Sequence, residues 1–329
     1  MEKLRVGIIG LGFMGGMHLQ NWARRSDVDV VAVCDKRPLD ATGIKGNIDG
    51  SDAPAVDLSG ITHYTDVGEM LDKASLDAVS ITLPTHLHKD VTLQALAHGV
   101  HVLCEKPMAL TVEECDEMIA AADQAGKVLM IGHCIRFWPA YAWARQVVAD
   151  GRYGSVRAAD FERLSARPVW SEGDWLSDEM KSGGIALDLH VHDLDFIQYL
   201  LGQPDQLEAR TAKFPDGVTG HIQTRLSYPG HDAVVSATAS WMMPAAFSFG
   251  MSFKILLEQA LLVYDSRAES SFMVYPAEGE AFAPELEAGD GYQQEIDYFA
   301  TLICSGGTNT VIPTPEAREA VRLAREVIS

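Results

Sequence analysis

Apolar, β-branched runs alternate with helix-length segments through the first 125 residues, the pattern of parallel strands joined by crossover helices. It predicts strands over Leu4–Ile9, Val28–Cys34, Ala78–Thr82, His101–Cys104 and Val128–Ile131. Between them it predicts helices over Met14–Arg24, Val67–Lys73, His88–His98 and Val112–Ala125. The last has Thr111 as N-cap with Glu114 three residues later, a capping box, and stops at Gly126. A further helix is expected over Ala140–Asp150, by which point the first domain has ended. The expected division is therefore 1–125 and 126–329.

From about residue 155 the period changes to two. Strand candidates follow one another over Val156–Arg163, Gln206–Lys213, His221–Tyr228, Ala233–Trp241, Phe247–Leu256 and Ala260–Tyr264, with turn residues such as Pro229-Gly230 between several. Phe247, Phe249, Met251, Phe253 and Ile255 alternate with Ser248, Gly250, Ser252 and Lys254, so one face is strongly apolar and the other small and polar. The expected fold class is a doubly wound parallel α/β domain followed by an open antiparallel sheet flanked by helices. The polar face of that sheet is either bare to water or an oligomer contact.

The first strand runs into Gly10-Leu11-Gly12-Phe13-Met14-Gly15, which opens a helix. In a Rossmann dinucleotide fingerprint the first glycine permits the tight turn, the second lets backbone approach the pyrophosphate, and the third lets helix and strand pack closely. Pyrophosphate would then meet the positive end of the helix. The next strand ends at Asp35, twenty residues past Gly15, where a carboxylate accepts hydrogen bonds from the adenosine ribose. Asp35 favours NAD because it repels a 2′-phosphate. Lys36 and Arg37 follow, and an arginine there keeps NADP open; read plainly they are solvated loop charges.

Composition narrows the partners. The chain has 329 residues, enough for two domains, and a formal charge of −20, which argues against nucleic acid or anionic membrane. Its 5 cysteines form no CxxC pair and read as reduced, mostly buried thiols. No secretory signal is seen ahead of Leu4 and no run is long enough to span a membrane, so a cytoplasmic protein is expected.

The segments Gly10–Gly15, Thr82–His88, Glu105–Pro107, Gly132–Arg136 and Gly183–Asp195 together resemble the Gfo/Idh/MocA oxidoreductase family. The resemblance runs nearly end to end and includes a closing helix with Tyr292, Glu295 and Phe299. It implies NAD(P)-linked chemistry at a hydroxyl of a sugar, inositol or sugar acid, and a C-terminal sheet used for dimer or tetramer contacts. Carried over by position, Lys106 matches the active-site lysine, and Asp188 and His192 match the Asp-x-x-x-His pair. Thr82, Leu83, Pro84 and Glu105 would line the nicotinamide side of the cofactor. His88 matches the family pattern and is counted with the cofactor-side residues, with a structural role at the start of a helix expected, and the Lys106–Pro107 bond is implied to be cis. The sequence departs from the family pattern over residues 37–60, which are rich in Gly, Pro and Asp. It also closes at Ser329, where many relatives continue for a few residues, as expected of a trimmed terminus.

Asp188 and His192 are four apart and share a helix face. The imidazole would accept the hydroxyl proton, Asp188 would orient it or touch substrate, and Lys106 would stabilise the developing alkoxide. The reverse, with Lys106 as base and His192 as donor, is equally compatible with the sequence. His190 and His192 alternate with Asp188 and Asp193, which invites a metal reading. Zinc needs three or four converging ligands and no further Cys/His pair has ligand spacing, so no metal is expected. His190 is then a substrate contact or a helix-face residue. Arg136, Trp138, Tyr141, Arg163, Trp170, Trp175 and Lys181 could wall a polar, aromatic pocket, with Arg136 and Trp175 foremost as substrate contacts. His86 is a further pocket candidate. Two other readings share these features: a redox-neutral glycosidase or epimerase that regenerates its NAD, and a non-catalytic dinucleotide sensor.

Overall fold

The computed structural model describes residues 3–38, 56–169, 171–228, 230 and 233–328. Trp170, Pro229 and most of the Gly/Pro/Asp-rich stretch after Asp35 lie outside the described residues. The chain forms two compact units: Met1–Cys134 with Tyr292–Arg318, and Ile135–Gly291 with Glu319–Ser329. The first unit thus runs past residue 125, because the strand after Gly126 completes its sheet. It also regains a C-terminal segment, which a reading in chain order assigns to the second domain.

In the first unit, β1 (Leu4–Ile9), β2 (Val28–Cys34), β3 (Thr62–Tyr64), β4 (Ala78–Ile81), β5 (His101–Glu105) and β6 (Leu129–Gly132) form one parallel sheet in the order β3-β2-β1-β4-β5-β6. This is the doubly wound order, and it reverses between β1 and β4. The crossovers are α1 (Phe13–Ala23), α2 (Val67–Lys73), α3 (His88–Ala97) and α4 (Val112–Ala125). Both sheet faces are covered, so the central strands are apolar throughout: Val6, Ile8, Ile9, Val79, Ile81, Val102 and Leu103 are fully buried. The capping box at Thr111 and Glu114 forms in both directions, and Gly126 ends α4 in the left-handed conformation at φ +60°. The three-residue strand β3 was too short to show a period.

The second unit begins with α5 (Pro139–Asp150) and a seven-stranded sheet. Its strands are β7 (Val156–Leu164), β8 (Gln206–Lys213), β9 (Thr219–Ser227), β10 (Val234–Ser240), β11 (Gly250–Leu257), β12 (Ala260–Asp265) and β13 (Phe272–Pro276), in the order β13-β12-β11-β7-β10-β9-β8. The sheet is mostly antiparallel, with one correction to the expectation: β7 and β10 pair in parallel, Val234 opposite Ala158 through Ser240 opposite Leu164. The long connection through α6 (Glu179–Ser182) and α7 (Val191–Leu201) allows this, since parallel neighbours need a crossover rather than a hairpin. Met251, Phe253 and Ile255 point into the core, as their alternation predicts, while Val234, Leu256 and Tyr275 are exposed on the other face. Finally α8 (Gly291–Ser305) returns to the first unit, and α9 (Thr314–Glu326) closes the chain. Among the described residues no helix is long and apolar enough to cross a membrane.

Two buried ion pairs hold α7. Arg163 on β7 grips Asp193 with Nε and Nη2 at 3.1 and 2.8 Å, and Arg136 grips Asp195 at 2.9 and 2.7 Å. All four side chains are essentially inaccessible. Around them Tyr141 meets Phe196 and Phe253 edge-on, at 4.8 and 4.9 Å between ring centroids. A buried pair contributes little against an apolar substitute, but stripping one partner strands the other charge. Asp193→Ala is therefore expected to lower unfolding stability by about 3–5 kcal/mol. Denaturant midpoints at an unchanged slope check this, and a midpoint within error of the parent would contradict it.

Candidate functional site

The reversal of strand order places the turns after β1 and β4 side by side, where doubly wound sheets bind ligands. Gly10 turns with φ +91°, which side chains other than glycine's rarely adopt. A Cβ on Gly15 would lie 2.0 Å from the Gly10 carbonyl oxygen, so only glycine lets α1 start this close to β1. A Cβ on Gly12 would meet nothing within 4 Å, leaving backbone open to an approaching group. Gly12 is also the N-cap of α1 and supplies no side-chain cap, so the positive end of the helix, with Phe13 and Met14, faces the same opening. The cradle fits a pyrophosphate.

Asp35 stands where the ribose role requires it, just past β2. One of its oxygens accepts the Leu11 N–H at 2.7 Å, which ties it to the glycine turn. Arg37 grips the same carboxylate through Nε and Nη2 at 3.0 Å each and through its own backbone N–H at 2.9 Å. Burial pushes the Asp35 carboxyl up, but the bonds from Arg37 and Leu11 outweigh it and hold its pKa below the ordinary value. Arg37, read from the sequence as a solvated charge, is instead bonded to Asp35 while staying partly exposed.

On the nicotinamide side the anticipated residues divide. Thr82 turns its hydroxyl back onto the glycine turn, at 2.6 Å from the Gly10 carbonyl oxygen. Leu83 and Pro84 are half-buried. His88 is buried, with Nδ1 2.8 Å from the Pro107 carbonyl and Nε2 2.8 Å from the Leu83 carbonyl. Its ring straps the turn after β4 to the turn after β5; burial lowers its pKa, although both carbonyls and Glu105 pull the other way. Glu105 is also buried. Its carboxylate lies 3.1 Å from His18 Nε2 and accepts the Lys106 N–H at 3.1 Å. His88 and Glu105 were both expected at the cofactor; enclosed as they are, they shape the cofactor-side turns from beneath. Lys106 is half-buried at the end of β5, and its bond to Pro107 is cis.

In the second unit Asp188 lies on a π turn, Ala186–His190, that leads directly into α7, which carries His192. Such turns are uncommon and recur at functional sites. From Ser182 to Gln198 every residue is buried except Asp188 and His192. The wider turn keeps these two on the outward side while Asp193 and Asp195 point in to their arginines. His190, expected as a substrate contact or helix-face residue, is a core residue: it is fully buried, with Nε2 2.8 Å from Thr224 Oγ1, and burial lowers its pKa to about 3. Arg136 is likewise enclosed by its pair with Asp195, so a substrate could reach it only by breaking that pair. Of the other pocket candidates, Arg163 and Tyr141 are core residues and Trp138 donates to the Tyr264 hydroxyl at 3.1 Å. Lys181 pairs with Asp178, His86 is exposed, and Trp175 is half-buried.

The sequence reading passed over His18, and it named Glu295 only as part of the closing helix. Both are enclosed in the first unit beside Glu105. A polar residue within a buried helix stripe is the signal: His18 sits among Gly15, Leu19 and Trp22 on α1, and Glu295 among Ile296, Phe299 and Ala300 on α8.

Residues 4–133 match the model of an oxidoreductase family with an NAD-binding Rossmann fold, and residues 141–263 match the Gfo/Idh/MocA C-terminal domain. The chain belongs to the Gfo/Idh/MocA family. It is 33% identical over 204 residues to D-glucoside 3-dehydrogenase of Escherichia coli, covering 62% of this chain and 55% of that one. It is 31% identical over 206 residues to 2,7-anhydro-N-acetylneuraminate hydratase of Mediterraneibacter gnavus, covering 61% of this chain and 50% of the relative. The chain spans between 43% and 66% of the length of the curated relatives it matches. In fold it is similar to levoglucosan dehydrogenase in complex with NADH and levoglucosan, with a TM-score of 0.83 over 99% of this chain and 96% of that one at 21% identity.

The grip of Arg37 on Asp35 makes the cofactor preference testable. Asp35→Ala removes the ribose acceptor and at the same time releases a guanidinium able to meet a 2′-phosphate. The expected outcome is weaker NADH binding, with NADPH binding less affected or improved, read by fluorescence titration of both. Equal losses for the two would remove Asp35 from the ribose.

Proposed function

We propose that this Gfo/Idh/MocA protein transfers hydride between nicotinamide and a secondary hydroxyl of a sugar, inositol or sugar acid. The observation that carries this reading is the partial exposure of Asp188 and His192 in a segment otherwise buried from Ser182 to Gln198. NAD, held by Gly10–Gly15 and Asp35, supplies the hydride acceptor when bound. His192 takes the hydroxyl proton, a role that typically contributes about 10²–10⁴-fold. Asp188 orients the imidazole or contacts substrate. Lys106 donates to the reacting oxygen and stabilises the charge that develops on it. Trp175 remains the aromatic candidate for a sugar C–H face, whereas Arg136 and His190 are left out because both are enclosed.

Relatives named for a D-glucoside and for 1,5-anhydro-D-fructose support a sugar-like substrate. The relative named as a hydratase supports a second reading, a reaction on a sugar with no net change in NAD. The same proposal includes assembly into a dimer or tetramer through the outer face of the second sheet, where Val234, Leu256 and Tyr275 are exposed, and light scattering after gel filtration tests it.

Incubation with NAD and a panel of inositols, aldoses and sugar acids should produce the reduced-nicotinamide absorbance with one compound class. Product formation without that absorbance would favour the redox-neutral reading, and dinucleotide binding with no product from any compound would favour a sensor. On the active substrate, Lys106→Met is expected to lower kcat by about 10²–10³-fold with NADH binding nearly intact. Unchanged turnover would refute the role given to Lys106.

A further inference from the structure

Three chemistry-bearing groups meet inside the first unit with no exposure to speak of. His18 on α1, Glu105 at the end of β5 and Glu295 on α8 each bring one nitrogen or carboxylate oxygen to within 4.8 Å of the others. Their donors and acceptors do not add up in the ordinary charge states. Glu105 receives Nε2–H of His18 at 3.1 Å and the N–H of Lys106 at 3.1 Å. That use of Nε2 leaves Nδ1 of a neutral His18 as a bare lone pair, and Nδ1 has no partner. Both oxygens of Glu295 are buried without a partner as well. An ionised Glu295 would thus add a third acceptor to a pocket whose donors are spent, and a second negative charge beside Glu105.

We propose that Glu295 is carried in the folded protein as a neutral carboxylic acid whose O–H is the missing donor of this trio, and that through Glu105 it is a positioning residue for Lys106. Two carboxyl groups confined together share one proton, and the environment decides which keeps it. Glu105 is the one that ionises: burial works upward on its pKa, but His18, Lys106 and His88 pull it down further. Glu295 faces only burial and the Glu105 charge, and both push it well above the carboxylate range. A metal ion fits less well. Zinc bonds of about 2.0–2.1 Å set tetrahedral ligand edges of about 3.4 Å, shorter than the 4.8 Å spread here, and would take the Nε2 position that faces Glu105. The mechanical consequence follows from connectivity. The acid on α8 holds the Glu105 carboxylate, and that carboxylate holds the peptide N–H of Lys106.

The protonation stands independently of any catalytic reading, whereas its effect on turnover rests on Lys106 acting as proposed above; the two are read separately. In unfolded chain a glutamate titrates near pH 4.3, roughly the value of an unperturbed side chain. With the folded pKa raised, the stability tied to this proton is complete below that value and is lost as pH rises through the folded pKa. Chemical unfolding of the full chain and of Glu295→Gln, which cannot titrate, should therefore show the variant gaining on the parent above about pH 4.3, by up to tenfold in folding constant per pH unit. Infrared difference spectra of the two should show the carbonyl band of a protonated acid in the parent alone. A stability gap that does not change with pH, or no such band, would overturn the proposal. So would a doubly protonated His18 in nitrogen NMR, or stoichiometric metal whose removal by chelator lowers stability. For the positioning role, Glu295→Ala should lower kcat at least tenfold and Glu295→Gln should recover most of it, with NADH binding similar in both; equal losses in the two would sink that role alone.

Discussion

One buried carboxylate organises the first unit. Glu105 lies inside the protein at the end of β5, where an uncompensated charge would be costly, so the surrounding elements are arranged as donors and close packing. His18 comes from α1, three residues past the glycine that lets that helix start against β1. The backbone of the next residue, Lys106, donates to the other oxygen. A Cβ on Gly132 would lie 3.4 Å from the Glu105 side chain, so β6 runs in van der Waals range of it. Glu295 brings α8 into the same group, which gives a physical reason for a C-terminal helix to belong with an N-terminal sheet.

The second unit solves the complementary problem of presenting charge. Two arginines fix Asp193 and Asp195, which follow the π turn on the inward side of α7. His190 is fastened to Thr224 on β9. With these three polar side chains fastened inward, the rotation of the helix is set, and Asp188 and His192 keep partial exposure. Precision in this pair comes from enclosed pairs behind it, the usual requirement for a preorganised site.

Periodicity and turn chemistry made most of the fold legible. The capping box at Thr111, the glycine turn at Gly10 and the alternation through Met251, Phe253 and Ile255 are local signals with local causes, and each forms where the sequence places it. The parallel pairing of β7 with β10 and the return of α8 to the first unit are long-range outcomes with no local signature. Strand β3, at a sheet edge, has only 3 residues, too few to establish a period.

The candidate site was legible in a narrower sense, and the residues that lie deeper than expected share a cause. Arg136, His190, His88 and Glu105 are residue types that carry chemistry, and each was expected to meet substrate or cofactor. Each is enclosed, because a charged or polar side chain that finds hydrogen-bond partners inside the fold gains little by facing out. Conversely, Arg37 was read as solvent-facing and is engaged with Asp35. Residue type therefore identifies which groups can do chemistry, and partial exposure narrows which of them an incoming molecule can reach. Around Lys106 the two criteria meet: the peptide of this lysine is held by Glu105, the carbonyl of Pro107 by His88, and the cis bond between them lies under both restraints. A lysine whose backbone is fixed on both sides can offer its ammonium group from a defined origin, which is the condition under which a single donor stabilises a developing charge effectively.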